Sequence, residues 1–90
     1  MVTLLISQEV NDFLAWRANF DSLKYFRDEN SFTEVAVYAN VNNPDKIVLI
    51  MDAPNADVVE SFFNSEVIKE GMKKGGVISN TEIKILNRIK

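Results

Sequence analysis

The stretch Lys46-Ile47-Val48-Leu49-Ile50-Met51 decides the fold, because one lysine is followed by five consecutive aliphatic or thioether residues. A strand with one wet face alternates apolar and polar side chains, whereas a short unbroken apolar run marks a strand covered on both faces. The run therefore predicts a central strand. One layer of helices covers only one side of a sheet, so the other side needs a cover of its own.

Upstream of this strand, Val41-Asn42-Asn43-Pro44-Asp45 is turn chemistry, and Phe32 to Asn40 reads as a half-exposed strand close enough to pair as a hairpin. Val35, Val37 and Ala39 fall on one face of it, with Glu34, Ala36, Tyr38 and Asn40 on the other. Further upstream, Phe13, Trp16, Phe20 and Leu23 recur at spacings of three, four and three, which sets all four on one helical stripe. That helix is expected to have Asn11 as its cap and Asp12 in its first turn, to run to about Glu29, and to close at Asn30-Ser31 with the asparagine in the left-handed region. Val2 to Ser7 is the first strand.

Downstream, Asp52-Ala53-Pro54-Asn55 is expected to break the central strand and cap a helix from Ala56 that buries Val59, Phe62 and Phe63. Asn64-Ser65 interrupts or recaps it, and Glu66 to Lys74 carries Val67, Ile68 and Met72 inward. Gly75-Gly76 follows the helix and so reads as its C-terminal cap, since phosphate cradles precede helices. Thr81 to Ile89 is the last strand, with Ile83, Ile85 and Ile89 on one face and Glu82, Lys84, Leu86 and Arg88 on the other.

The order is βαββαβ over residues 1–90, a single domain of the α+β class. With right-handed crossovers the ferredoxin-like solution follows: a four-stranded antiparallel sheet, first and third strands central, helices on one face. Leu4, Ile6, Val35, Val37, Ile47, Leu49, Met51, Ile83 and Ile85 then lie beneath the helices. The opposite face gathers Leu5, Tyr38, Val48, Ile50 and Leu86 inside a rim of Thr3, Glu82, Lys84 and Arg88, an apolar middle with a polar border. These residues predict a homodimer whose two sheets pack face to face.

Composition narrows the chemistry. The 90 residues are 47% hydrophobic and 26% charged with net charge −3, which fits a globular chain and argues against nucleic acid as a partner. From Lys69 to Lys90 six basic residues stand against two acids, a distribution that reads as a solvated face matched to a helix dipole, with Glu70 placed to pair with Lys74. No cysteine and no histidine occur. Disulfides, thiolate nucleophiles, Ser-His-Asp arrangements and histidine zinc sites are thereby excluded, and no metal or cofactor is expected. The carboxylate neighbours Asp57/Glu60 and Asp28/Glu29 read as solvated rather than catalytic. The apolar opening Met1 to Ile6 is too short for a signal peptide or a membrane span, so no membrane association and a cytoplasmic location are expected. An RNA-recognition module shares the element order but needs stacking aromatics on its third strand, which here is wholly aliphatic.

Three stretches resemble the dimeric α/β-barrel group of ferredoxin-like proteins, which includes the antibiotic biosynthesis monooxygenases and small cyclase-like proteins. They are Val10-Asn11-Asp12-Phe13-Leu14-Ala15-Trp16 at a helix start, Tyr38-Ala39-Asn40-Val41-Asn42-Asn43-Pro44-Asp45 at a strand and turn, and Asn64 to Val77 at the second helix and its glycine exit. The resemblance implies a pocket between helices and sheet and a dimer whose sheets form a barrel. Haem-degrading members use a histidine, which this chain lacks. Cofactor-free oxygenases of the group hold an aromatic substrate among Trp, Tyr, Asn and Arg side chains. Trp16 and Tyr38 are available for that role, but the sequence assigns no matching Asn and Arg, and no catalytic residue is named.

The pocket candidates are accordingly Trp16, Phe20, Tyr38, Met51, Phe63 and Met72. A core anchor remains the simpler role for Trp16 and gap-filling for the methionines, while Tyr38 suits an interface position as well as a pocket hydroxyl. Two functions follow: a small dimer binding an apolar or aromatic ligand or a protein partner, or a cofactor-independent monooxygenase or cyclase acting on a preactivated aromatic or polyketide-like substrate.

Overall fold

A computed structural model describes residues 1–89; Lys90, the last of the six basic residues noted above, lies outside the described residues. Four strands, β1 (Val2–Glu9), β2 (Thr33–Ala39), β3 (Lys46–Ala53) and β4 (Glu82–Leu86), form one antiparallel sheet in the order β2-β3-β1-β4. Four helices, α1 (Phe13–Ser22), α2 (Lys24–Glu29), α3 (Ala56–Phe63) and α4 (Glu66–Lys74), supply the two crossovers. This is the ferredoxin-like α+β arrangement expected from the element order, with the two most apolar strands in the middle.

The central strand carries the pattern its sequence demands. Ile47, Leu49, Met51 and Ala53 are buried beneath the helices, and Val48 and Ile50 between them are half-buried on the open face. The strand continues through Asp52 and Ala53 rather than breaking there. Ala53 is fully buried opposite Val2, and Asp52 accepts a hydrogen bond from the Thr3 hydroxyl at 2.8 Å, so both residues keep partners in the ladder. The core joins Leu4, Ile6, Leu49, Val59, Phe62 and Ile68, with the Phe32 and Phe62 rings edge to face at 4.1 Å.

Other local expectations need correction. Asp12, not Asn11, caps α1, accepting from the Ala15 N–H at 2.9 Å, while Asp45 of the β2–β3 turn accepts from the Phe13 N–H at 3.0 Å. Asn11 is held instead by its backbone N–H on the Gly76 carbonyl. The first helix is divided at Leu23, and its closing left-handed residue is Ser31 (φ 62°), Asn30 having turned its side chain back to the Phe26 carbonyl. In β2 a bulge between Glu34 and Ala36 moves Val35 out from under the helices. It is 56% exposed beside Thr3, Ile50 and Leu86 on the open face. Finally β4 stops at Leu86, where its ladder with β1 ends at Thr3; Ile89 extends beyond it, and Ile85, though opposite Leu4, is 46% exposed at this edge.

The rest follows the local chemistry. Asn55 caps α3 and Ser65 recaps α4. Gly76 (φ 75°) closes α4, with the Val77 N–H on the Met72 carbonyl and the Gly76 N–H on that of Lys73. Lys73 and Lys74 lie in the last turn as expected, but the Glu70–Lys74 pair does not form among the described residues; the side chains are exposed, where water competes.

Candidate functional site

A cavity of about 60 Å³ lies between the helices and the covered face of the sheet. Ile6, Leu49 and Met51 of the two central strands form its floor, and Phe62, Phe63 and Met72 close it from the second crossover. The remaining wall is one stripe of the first crossover: Trp16, Asn19, Phe20, Leu23 and Arg27.

Two glycines bring the walls together. A Cβ on Gly71 would stand 2.6 Å from the Leu23 Cδ1, and one on Gly75 would stand 3.0 Å from the Asn19 Nδ2, so a side chain at either position would force Leu23 or Asn19 to shift. The space is used for a specific bond. Asn19 Nδ2 donates to the Gly71 carbonyl at 2.8 Å, which fixes the amide at the cavity wall. Gln8, also at the wall, donates to the Thr81 hydroxyl at 3.1 Å.

Aromatic rings line up along the same stripe. Trp16 stacks on Phe20 with centroids 5.0 Å apart, and the Arg27 guanidinium covers the Phe20 ring at 3.7 Å. Trp16 is buried, yet no described residue accepts from its indole N–H. Because no buried side-chain nitrogen or oxygen lacks a partner among the described residues, that N–H retains accessible surface.

Arg27 is 5% exposed. Its Nη1 donates to the Phe20 carbonyl at 2.7 Å, in the last turns of α1, where carbonyl dipoles favour a cation. Burial lowers its pKa from the ordinary arginine value, and the fields of Glu34, Asp21 and Asp28 oppose that shift without touching it. An arginine remains charged at neutral pH. No carboxylate lies within ion-pair distance of it among the described residues; Glu34 and Asp21 pair with Arg17 instead.

Of the sequence candidates, Trp16, Phe20, Met51, Phe63 and Met72 all line this cavity. Tyr38 does not: it pairs with Val48 on the other face of the sheet and is 57% exposed, because alternate residues of a strand point to opposite sides. Leu5, Tyr38, Val48, Ile50 and Leu86 do share that open face by register. Missed from the sequence were Gln8, Asn19 and Arg27. The signal for Arg27 was present, since the stripe Phe13, Trp16, Phe20, Leu23 continues four residues later at Arg27, where a charge interrupts an apolar series.

No family model matches the sequence, and no curated protein matches it by sequence. Solved structures match it in fold. An antibiotic biosynthesis monooxygenase assignment from Bordetella bronchiseptica superposes with TM-score 0.82 at 14% identity, over 99% of this chain and 97% of that one. One from Caulobacter crescentus gives 0.75 at 8% identity, over 99% and 90%. SnoaB, a cofactor-independent oxygenase from Streptomyces nogalater, gives 0.73 at 11% identity, over 99% and 93%. At these identities the likeness is one of fold, and it is the fold of the group the sequence resembles.

Proposed function

We propose that the protein binds a small aromatic or apolar ligand in the cavity between helices and sheet. One observation carries this reading: the cavity has an apolar lining into which the first crossover sets Trp16, Asn19 and Arg27 together. Ligand sites are built in this way, as mostly apolar walls with a few converging polar groups that orient the guest.

Size adds a requirement. A buried apolar cavity that takes benzene measures roughly 150 Å³, against about 60 Å³ here, so the walls move when a ring enters. The wall is suited to moving. Leu23 stands at the division between α1 and α2 with no side-chain cap, and Met72 has the rotational freedom to repack.

Trp16 is the sole tryptophan and lines the cavity, so its fluorescence reports occupancy directly. Titration with toluene is expected to shift Trp16 emission saturably, and narrowing the cavity by Met72→Phe is expected to weaken that shift. Unchanged emission in a protein that binds neither toluene nor its polar analogues by calorimetry would refute the reading.

A second reading is cofactor-independent oxygenation of a preactivated aromatic substrate. It is favoured by the Trp, Asn and Arg side chains meeting at one cavity in a fold shared with a cofactor-independent oxygenase. On this reading the substrate's own reactivity toward oxygen does much of the work, and the protein contributes binding and orientation. Oxygen uptake with a hydroxyanthrone, dependent on Trp16 and Asn19, separates an oxygenase from a binding protein.

Both readings include a homodimer with sheets face to face. Support comes from the open face, where Leu5, Val48 and Ile50 are flanked by exposed Val35, Tyr38 and Leu86. The chain also exposes 5828 Å², somewhat more than the roughly 5300 Å² typical of a monomer of its mass.

A further inference from the structure

We infer that the ligand of this cavity carries a carboxylate, and that Arg27 is the group that receives it. The inference rests on the ligand-binding reading above and narrows it to small apolar acids.

Three features of Arg27 combine. It is 5% exposed yet forms no ion pair among the described residues, whereas buried charges are ordinarily paired. It is the only charged side chain among the described residues that line the cavity. Among the described residues its guanidinium makes one hydrogen bond, through Nη1, which leaves the Nε and Nη2 edge without an acceptor there. Since no buried side-chain nitrogen among the described residues lacks a partner, those two atoms retain accessible surface.

The Nε–Nη2 edge is the fork that meets a carboxylate with two parallel hydrogen bonds. The guanidinium is also held in place, by the Phe20 carbonyl on one nitrogen and the Phe20 ring across its face. Folding has already removed it from bulk water, so an arriving anion loses only its own hydration and meets a receptor that is already oriented. The acidic side chains whose fields reach Arg27 are engaged elsewhere: Glu34 and Asp21 bind Arg17, and Asp28 binds Lys24. An apolar acid would place its body against Trp16 and Met51 and its carboxylate at Arg27.

Benzoate and benzamide test this, because they share a ring and a shape and differ in charge. Calorimetry and Trp16 fluorescence on the native protein are expected to show benzoate binding at least tenfold tighter than benzamide. Arg27→Gln is expected to bring the two within twofold of each other, and Arg27→Lys to retain part of the preference, with folding of each variant checked by circular dichroism. Equal affinities in the native protein would overturn the inference, and that comparison needs no variant to fold. An undiminished benzoate preference in folded Arg27→Gln would overturn it as well. If toluene binds while benzoate does not, the acid inference fails and the cavity reading stands; if none of the three binds, both fail.

Discussion

Gly76 and Arg27 show how single residues set local structure here. Gly76 holds φ 75°, and an added Cβ would also meet the Asn11 side chain at 3.4 Å. The left-handed conformation costs a residue with a Cβ roughly 1–2 kcal/mol. Gly76→Ala is therefore expected to lower the urea midpoint by that amount of stability, with the m-value unchanged. Its role as a cap was readable from the sequence because glycine pairs after helices have few other uses. Arg27 was legible only in part. Its place on the apolar stripe is a local sign of burial that went unused, but whether a buried arginine finds a carboxylate depends on which acids other elements bring near, and Glu34 of β2 is claimed by Arg17 of α1.

At the scale of elements, helix starts are joined to turns that the sequence treats separately. The N-terminus of α1 is capped twice, by its own Asp12 and by Asp45 from the β2–β3 turn. Asp45 also bonds its carbonyl to the Val10 N–H at 2.8 Å, so one residue ties the hairpin turn, the end of the first strand and the helix start. Loss of a cap side chain costs about 1 kcal/mol. Asp12→Ala and Asp45→Ala are each expected to destabilise by that much in chemical denaturation, and the double variant by less than the sum, because both caps hold one helix end. A spatial cap from residue 45 leaves no local trace before residue 13. The bulge at Val35 was hidden for a similar reason: strict alternation is a property of an unbroken strand, and one extra residue exchanges the faces of everything before it.

For the whole molecule, the open face of the sheet carries the largest consequence. Val48 and Ile50 alternate with the buried residues of β3, and the register aligns them with Leu5 and Tyr38. Placing a charge at the centre of such a face removes apolar contact and forces an ammonium out of water. Ile50→Lys is expected to convert a dimer into a folded monomer in light scattering at micromolar concentration. A native protein that is monomeric under those conditions, or an Ile50→Lys variant that remains dimeric, would exclude the face-to-face assembly.

By itself the sequence determined the element order, the central position of the Lys46–Met51 run and the stripe that faces the core, because periodicity and cap chemistry act over a few neighbouring residues. Only the tertiary structure decided that Asn19 and Arg27 join Trp16 at one cavity, that Tyr38 stands on the opposite face, and that Arg27 is buried without an ion pair among the described residues. Those outcomes depend on strand register, on a bulge and on the close approach of α4 to α1 through Gly71 and Gly75. Each is a relation between residues far apart in the chain, for which no short stretch carries the pattern.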